Sequence, residues 1–459
     1  MKPRRPQSAR NRRRSPSGVS QPPCVPAHPQ LVTLEKPIYG GASLARVEGK
    51  AVFVPLTLPG ETARVRIVED RRGYALAEAD EIVAAAPERV TPGCPHFGIC
   101  GGCHYQHANY AAQLEMKQTV LRETLERAGI RAPEEIAVLA GEPQSHAWRY
   151  RNRIRVAFDA AGNPGYRGRR SHAVAAIREC PIAAPLLVET AFAAAEIARQ
   201  LAPAFRPTEL ALFCNHHETA LLATVFVANA GKIRFDDFCR ALHERIPEFI
   251  GAELVVEGSP TQPPRTLAYW GANSLSYHAA GFDYRVDHGA FFQVNRWLVD
   301  ALVERVSAGL SGALAWDLFA GVGLFARRLS ERFARVVAVE SAPTAINALQ
   351  ANLGGTSGDA VSSTTLDFLR HSISSPRDSG ERPDLIVVDP PRTGLGPEIT
   401  TLLANTAAPS LVYVSCDPAT LARDLRALID GGYAIHTLTL ADLFPQTFHI
   451  ETVVHLRRS

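Results

Sequence analysis

The chain has 459 residues, of which 46% are hydrophobic and 21% are charged, a composition typical of a folded globular protein rather than a disordered one. A chain of this length is expected to form about three domains. No run approaches the roughly 18 uninterrupted apolar residues that a membrane helix needs, so we expect no membrane partner. With no apolar signal region near its start, the sequence predicts a cytoplasmic protein.

The first 29 residues are strongly basic. They hold seven Lys and Arg side chains and no acid, and without them the chain has 42 basic against 46 acidic residues. We expect residues 1–29 to form a disordered basic tail, which either stays solvated or attracts polyphosphate nonspecifically. Any anionic partner of the folded part must therefore be bound by local positive patches.

Residues 30–90 contain short alternating strands separated by glycine turns, a pattern that predicts a small β-barrel. In one of these strands, Arg64 and Arg66 alternate with Val65 and Ile67, so one face is apolar and the other is basic. A basic barrel face suits RNA binding, although a merely solvated face gives the same pattern.

Cysteines are clustered after the predicted barrel. Three of the eight form the pattern Cys94-x5-Cys100-x2-Cys103. In a chain of this length, such spacing indicates metal ligands rather than a disulfide framework. Residues 110–128, which follow, show the leucine spacing of a helix.

Arginine occupies every second position at Arg149, Arg151, Arg153 and Arg155. In a strand, this period places all four guanidinium groups on one face. A turn at residues 162–165, followed by more arginines, predicts a basic hairpin. Four arginines on one face repel each other unless they share an anion, so we favour nucleic-acid binding over a solvated face.

From about residue 286, apolar strands alternate with helix-compatible segments, which predicts an open, mainly parallel α/β sheet. The last two strands are expected at its edge. The predicted strands are residues 313–319, 336–339, 385–388, 411–414, 434–440 and 450–456.

Residues suited to cofactor binding follow these strands. Gly321 and Gly323 come directly after one strand, where backbone can approach a ligand at the carboxyl edge of the sheet. Glu340 ends the next strand, where a carboxylate binds ribose hydroxyls. The glycine loop lacks both the Lys-Ser/Thr of a Walker loop and the third glycine of a dinucleotide site, so the predicted cofactor is S-adenosylmethionine.

Cys416 is the predicted nucleophile. It follows the apolar run at residues 411–414 and precedes Asp417 and Pro418, so a thiol is delivered into a turn beside the cofactor. Cysteine is the strongest nucleophile among side chains near neutral pH.

Four motifs together resemble the RNA uracil-C5 methyltransferases. They are Phe291-Phe292-Gln293-Val294-Asn295, Asp389-Pro390-Pro391-Arg392, Ser415-Cys416-Asp417-Pro418 and Phe444-Pro445-Gln446-Thr447 through Glu451. The resemblance covers about residues 30–459. It implies a TRAM barrel of the oligonucleotide-binding type at residues 30–90, a central iron–sulfur and RNA-binding domain at 91–285, and a class I, Rossmann-like S-adenosylmethionine-dependent methyltransferase domain at 286–459. Helix 110–128 is expected to pack on the last of these.

The resemblance also implies residue roles. Cys416 would add to C6 of uracil and Glu451 would remove the C5 proton, while Asp389 and Arg392 would hold and orient the base. The matches to family cofactor contacts are Gln293, Phe319, Gly321, Gly323, Glu340, Asp367 and Asp389.

Cys94, Cys100, Cys103 and Cys180 match the 4Fe-4S cluster ligands of the 23S rRNA branch, which the tRNA branch lacks. Zinc on four thiolates is the alternative. The x5 spacing and the distant fourth cysteine favour the iron–sulfur cluster. The implied reaction is therefore formation of 5-methyluridine in 23S rRNA, with tRNA as the alternative substrate and a monomer as the expected state.

Three positions depart from the family pattern, namely Ala320, Leu324 and Asp417. The acid at Asp417 lies beside the nucleophile and could raise the pKa of the thiol. If this disables the site, the alternative is a noncatalytic RNA-binding or ribosome-assembly factor. A radical methylthiotransferase would need Cys-x3-Cys-x2-Cys, which the sequence lacks.

Overall fold

The computed structural model describes residues 29–229, 234–258, 263–374 and 382–458. The predicted basic tail lies outside the described residues, apart from Pro29. The described strands form sheets of six, seven and eight strands and one two-stranded hairpin. Among the described residues, no helix combines the length and the hydropathy that a membrane crossing requires.

Residues 30–84 form the six-stranded sheet. Its strands are β1 (Gln30–Thr33), β2 (Lys36–Ile38), β3 (Ala42–Val47), β4 (Lys50–Pro55), β5 (Thr62–Asp70) and β6 (Tyr74–Ala84). Their order is β1-β5-β6-β4-β3-β2, and the Glu35 N–H after β1 donates to Leu44 O of β3 at 2.7 Å. The sheet therefore curves back on itself as a small barrel, filled by the alternate apolar residues of its strands.

The chain next reaches the eight-stranded sheet. Helix α1 (Tyr110–Arg127) begins at Asn109, whose side chain accepts from Ala112 N, and its Leu121 and Leu125 are buried in the core of that sheet. Strand β7 (Ala137–Leu139) pairs in parallel with the strand Tyr433–Ala441 and forms an edge of the sheet. Helix α1 therefore packs on the eight-stranded sheet.

The seven-stranded sheet has the order β10-β9-β8-β11-β12-β13-β14. Helices α2 (Pro185–Leu201) and α3 (Phe235–Arg245) cover one face with a shared apolar core. The strands are β8 (Arg153–Phe158), β9 (Pro164–Arg167), β10 (Val174–Ala176), β11 (Pro207–Cys214), β12 (Leu221–Val227), β13 (Phe249–Val256) and β14 (Arg265–Gly271).

The prediction that the four alternating arginines lie on one strand was wrong for the first two, Arg149 and Arg151, because β8 begins only at Arg153. Arg149 has φ 50°, in the left-handed region, which interrupts an extended strand. The backbone of Arg151 bonds to Ile182 O and Ala184 N, so it follows the chain leading into α2 rather than the sheet.

The remaining β-structure begins with a hairpin that packs on the eight-stranded sheet. The hairpin is β15 (Ser274–Ala279) and β16 (Phe282–Asp287), and its Tyr277 and Tyr284 lie in the same core as Val387. The segment expected as one central domain, residues 91–285, thus contributes to both large sheets.

The eight-stranded sheet is mainly parallel, as the sequence predicts. Its order is β19-β18-β17-β20-β21-β23-β22-β7, with β23 antiparallel to both neighbours. Its other strands are β17 (Gly312–Leu318), β18 (Phe333–Glu340), β19 (Gly358–Ser362), β20 (Leu385–Val388), β21 (Ser410–Ser415), β22 (Tyr433–Ala441) and β23 (Glu451–Arg458). The two strands expected at the edge are internal, because β23 lies between β21 and β22 and because β7 pairs with the other side of β22. The helices are α4 (Val299–Ser307), α5 (Leu324–Leu329), α6 (Pro343–Leu353), α7 (Thr365–Ser374), α8 (Gly396–Thr406) and α9 (Pro418–Asp430).

Candidate active site

The ends of neighbouring strands bring the predicted site residues together. Strands β17, β20 and β21 are adjacent and parallel, so Phe319, Asp389 and Cys416, which follow them closely, lie along one edge. Glu451 is the first residue of the antiparallel β23 and meets the same edge beside β21. The sheet topology therefore brings together residues far apart in sequence.

The thiol of Cys416 is half-buried. Burial raises its pKa to about 11, the charges of Glu451 and Asp389 also raise it, and the charge of Arg392 lowers it. The expectation that Asp417 raises this pKa needs correction for the native arrangement, in which the carboxylates that raise it most are Glu451 and Asp389.

Asp417 has a different task. Its Oδ1 accepts hydrogen bonds from Ala419 N at 3.0 Å and Thr420 N at 2.9 Å, so it caps the amino end of α9. The helix end thereby stabilises the carboxylate next to the nucleophile.

Two carboxylates face the thiol. Glu451 is buried, and its pKa is raised by burial and by the charge of Asp389, while Arg392 acts in the opposite direction. Burial also raises the pKa of Asp389, whose Oδ2 accepts from Gln293 Nε2 at 3.4 Å. Adjacent carboxylates disfavour simultaneous ionisation, so this pair retains a proton near neutral pH.

Arg392 is exposed at the mouth of this cleft, and its Nη2 lies 3.4 Å from His449 Nδ1. Burial and the neighbouring charges of Arg392 and Arg151 lower the pKa of His449 to about 3. The neutral imidazole therefore accepts the hydrogen bond from the guanidinium.

The predicted glycine loop makes a tight turn between β17 and α5. Phe319, Gly321 and Gly323 all have positive φ, at 66°, 56° and 90°. Gly321 N donates to Glu340 Oε2 at 2.9 Å, which joins the loop to the end of β18. The loop thus leaves a backbone-lined approach at the strand ends.

Asp317 of β17 supports the glycine loop through a hydrogen bond to α5. It is completely buried; its Oδ2 accepts from Ala326 N at 2.8 Å, while its Oδ1 has no partner among the described residues. Burial raises its pKa to about 8.

The remaining predicted cofactor contacts differ in placement. Gln293 is buried, and its backbone carbonyl accepts a hydrogen bond from Asn152 Nδ2 at 2.9 Å. This contact positions the side-chain amide of Gln293 beside Asp389. Asp367 is exposed, and its carboxylate accepts from Thr364 Oγ1 at 2.7 Å at the start of α7. The structure thus gives Asp367 a helix-capping contact.

The loop that leads into Glu451 is held by side chains that the sequence did not single out. Buried Lys117 of α1 donates to Asp442 Oδ1 at 2.5 Å and to Phe444 O at 2.9 Å. Gln113 exchanges two hydrogen bonds of 2.9 Å with Gln446. We call residues 442–450 the Gln446 loop. No local pattern marks these partners, which lie more than 300 positions upstream.

Backbone groups beside the cysteine segment also hold this loop. His104 N and Tyr105 N, just after Cys103, both donate to Gln446 O, at 2.9 and 3.0 Å. Tyr150 OH donates to Pro445 O at 3.0 Å. The cysteine segment and the loop leading to Glu451 are therefore directly connected.

The four predicted metal ligands, Cys94, Cys100, Cys103 and Cys180, line one cavity of about 230 Å³. Burial raises the pKa of the Cys103 thiol to about 12. Within the described ranges, no three His, Cys, Asp or Glu side chains are grouped closely enough to hold a metal ion. Four thiols are the ligands that a four-thiolate metal site requires. In this structure, however, their side chains are not close enough together to bind a metal ion.

The predicted RNA-binding arginines have unequal surroundings. Arg151, Arg153 and Arg155 line a groove of about 560 Å³. Arg155 pairs with Glu209 at 2.5 Å, whereas Arg153 donates to Ala290 O. In the part of the chain that the structure describes, neither Arg151 nor Arg153 forms an ion pair.

The barrel arginines of the predicted basic face are paired across β5 and β6. Arg64 pairs with Glu81 at 3.2 Å, and Arg66 with Asp80 at 3.3 Å. The positive charge of that face is therefore partly neutralised by these carboxylates.

Known proteins resemble this chain along nearly its whole length. Residues 381–459 match the family model of tRNA (uracil-5-)-methyltransferases, and residues 29–79 match the TRAM domain. A protein of Streptomyces avermitilis described as an uncharacterized RNA methyltransferase is 35% identical over 437 residues, which cover 91% of this chain and 95% of that one.

Two further relatives carry more specific descriptions. The 23S rRNA (uracil(1939)-C(5))-methyltransferase RlmD of Halomonas elongata is 30% identical, covering 97% of this chain and 92% of that one. The crystal structure of the Pyrococcus abyssi tRNA (uracil-54, C5)-methyltransferase with S-adenosyl-L-homocysteine has a TM-score of 0.73 at 23% identity and covers 93% of this chain and 100% of that one, a likeness of fold. The chain therefore belongs to the RNA uracil-C5 methyltransferases, enzymes that depend on S-adenosylmethionine.

Proposed function

We propose that this protein methylates C5 of a uracil in 23S rRNA, with Cys416 as the nucleophile. The observation that carries the chemistry is the meeting of one thiol with Glu451 and Asp389 at the strand ends beside the glycine loop. The similarity to the Halomonas elongata rRNA enzyme, over nearly the full length of both chains, supports the choice of substrate.

Uracil C5 is a weak nucleophile, and a thiolate can activate it. Addition of Cys416 to C6 places the electron pair on the enolate that includes C5. S-adenosylmethionine supplies the methyl group, which C5 takes as the bond from that methyl to sulfur breaks. Glu451 then removes the C5 proton, the C5–C6 double bond forms again and Cys416 is expelled.

The surrounding residues suit these steps. The raised pKa of Glu451 makes it a stronger proton acceptor once it is ionised. Asp389 shares with Glu451 the proton that the pair retains near neutral pH; when the proton is on Asp389 it can be donated to a uracil carbonyl, and Gln293 fixes the orientation of Asp389. We assign the cofactor cradle to Phe319, Gly321, Gly323 and Glu340. The target base must leave its stack to reach Cys416.

The four cysteines are proposed to hold a 4Fe-4S cluster. Their convergence on one cavity and the all-thiol donor set support this assignment, and zinc is the alternative ion. The group would tie residues 94–103 to the segment around Cys180. Iron and acid-labile sulfide in anaerobically purified protein would identify it, whereas zinc without sulfide would reject it.

RNA is proposed to bind along the arginines that lack carboxylate partners. Arg149, Arg151 and Arg153 have no ion pair among the described residues. Arg151 and Arg153 line one groove together with Arg155, which pairs with Glu209. Each lost phosphate contact should lower the slope of log affinity against log salt by about 0.7–0.9. Replacing Arg149 and Arg151 by Ala should reduce that slope, as measured by RNA binding between low and high salt.

The direct test uses mass spectrometry of unmodified 23S rRNA and tRNA incubated with methyl-labelled S-adenosylmethionine. Labelled 5-methyluridine in 23S rRNA is expected, and Cys416→Ala should abolish it. Cys239→Ala, which alters a buried thiol of α3, is the matched control. Label in tRNA alone would keep the chemistry and move the substrate. No label in either RNA would overturn the proposal in favour of a noncatalytic factor.

A further inference from the structure

A tyrosine of the barrel reaches the turn that carries the nucleophile. Tyr39 follows β2, and its hydroxyl donates to Asp417 Oδ2 at 3.3 Å. Asp417 directly follows Cys416, and the two partners of this hydrogen bond are 378 positions apart. The barrel and the nucleophile turn are therefore in direct contact.

The position of Tyr39 is fixed on both sides. Gly41, in the same turn, has φ 87°, and a Cβ there would lie 3.0 Å from the Cβ of His104, so the turn fits tightly against the cysteine segment. Lys36 Nζ pairs with Glu123 of α1 at 2.9 Å. These contacts hold the tyrosine in the cleft rather than on a free loop.

The ring of Tyr39 also contacts the Gln446 loop. It meets Phe448 edge-on, with centroids 5.4 Å apart and planes at 89°. The ring of Phe448 in turn contacts the rings of His104 and His449, with centroids 4.5 and 4.4 Å apart. One barrel side chain thus touches both the turn after Cys416 and the loop before Glu451.

The hydrogen bond has a defined direction. Asp417 Oδ1 is already occupied by Ala419 N and Thr420 N, which leaves Oδ2 for the tyrosine. Burial and the charge of Asp417 raise the pKa of Tyr39 far above its ordinary value, so the hydroxyl keeps its proton and donates.

We propose that Tyr39 is a positioning residue for the nucleophile, which acts through Asp417 to fix the turn that presents Cys416 and to offset the negative charge beside the thiol. The proposal rests on Cys416 being the nucleophile. The other charged groups that face the thiol are Glu451, Asp389 and Arg392, and none of them contacts the Tyr39 hydroxyl through a hydrogen bond. The TRAM barrel then supplies part of the active site as well as binding RNA.

The test is the pH dependence of alkylation of Cys416 by iodoacetamide, followed on its peptide by mass spectrometry. In the native protein the Asp417 charge is offset by its hydrogen bonds and is not among the main charges acting on the thiol. Without the Tyr39 donor that charge is less offset, so Tyr39→Phe should move the midpoint up by about 0.5–1 pH unit, which is about a 3- to 10-fold slower rate at pH 8. Tyr269→Phe removes another tyrosine–carboxylate hydrogen bond, to Glu253 at 3.4 Å, and should leave the midpoint unchanged.

An Asp417→Asn background separates this role from general loosening of the fold. With the charge gone, Tyr39→Phe should no longer shift the midpoint. An equal shift in that background, or no shift in the native one, would overturn the proposal. Methylation is measured separately: failure of the native enzyme to methylate any RNA rejects the proposed function, while the alkylation profile still decides the role of Tyr39.

Discussion

The reactivity of Cys416 is limited by the charges around it. With a pKa of about 11, the thiol is almost fully protonated at pH 7. Two of the causes are the charges of the Glu451 and Asp389 carboxylates. The same carboxylates therefore suppress the free thiolate, whereas the charge of Arg392 favours it.

Replacing Glu451 by Gln should accelerate alkylation of Cys416 while stopping turnover. Removal of a nearby negative charge favours the thiolate, so the thiol pKa should fall by about 1 unit and the iodoacetamide rate at pH 8 should rise up to about tenfold. The same variant should accumulate a covalent RNA adduct, visible in a denaturing gel, because the C5 proton is no longer removed. Glu244→Gln, at an exposed position of α3, is the control. A slower alkylation rate would contradict the assigned electrostatics.

Several site residues were predictable because each follows an apolar strand. Asp389 comes after β20 and Cys416 after β21, and parallel strands present their ends at one edge. Tyr39 was not predictable, because a tyrosine in a glycine turn gives no indication of a partner 378 positions away. Asp367 was expected to contact the cofactor because its sequence position matches that of a family cofactor contact. Its carboxylate instead accepts a hydrogen bond from Thr364 at the start of a helix.

Among the elements, α1 matters because it anchors the Gln446 loop. Lys117 and Asp442 are both almost completely buried, and together they form an ion pair that also holds Phe444 O. A buried charge left without its partner is costly, more so than the intact pair is stabilising.

Lys117→Met should therefore destabilise the protein by about 3–5 kcal/mol, because Asp442 would remain buried without a cation. Denaturant unfolding followed by circular dichroism measures this. Lys36→Met breaks the half-exposed pair with Glu123 and should cost less than about 1 kcal/mol. Equal losses of unfolding free energy in the two variants would contradict the expected effect of burying the Lys117 ion pair.

The glycine loop permits a second matched comparison. At Gly323, φ is 90° and a Cβ would lie 2.8 Å from Leu349 Cδ1, whereas at Gly321, with φ 56°, a Cβ meets nothing within 4 Å. Gly321→Ala should cost about 1 kcal/mol through backbone strain alone. Gly323→Ala should cost about 1–3 kcal/mol more, since the clash adds to the strain. Thermal unfolding without ligand tests the order, and equal midpoints would contradict it.

Elements with continuous apolar runs were predicted best. Strand β20 was predicted at its observed bounds, because a strand buried on both faces is apolar throughout. Strand β7, with three residues, has too little sequence for any period to show. The arginine repeat did have strand-like periodicity, but the backbone of Arg151 bonds to the segment before α2 instead.

At the scale of the whole molecule, buried carboxylates make stability depend on pH. The pKa of Asp317 is raised from 3.8 to about 8, so the native state keeps a proton that the unfolded chain has already lost. Unfolding then releases a proton, and stability falls as pH rises from about 4 to about 8.

Asp317→Asn should reduce this decline by about 1–3 kcal/mol, because the substituted side chain carries no charge at any pH. The measurement is the unfolding free energy at pH 5 and at pH 8.5. Asp236→Asn, at an exposed site in α3, should leave the decline unchanged. An undiminished decline in Asp317→Asn would show that this carboxyl is not its source.

The barrel is joined to the rest of the enzyme by Tyr39, by the close fit of Gly41 to His104 and by the pair of Lys36 with Glu123. Such a barrel is not an exchangeable module. A chimera that takes a barrel from another RNA-binding protein would need to reproduce these contacts, or it would leave Asp417 and Phe448 without their partner. Substitutions in the β2–β3 turn and in the turn after Cys416 are therefore constrained to change together.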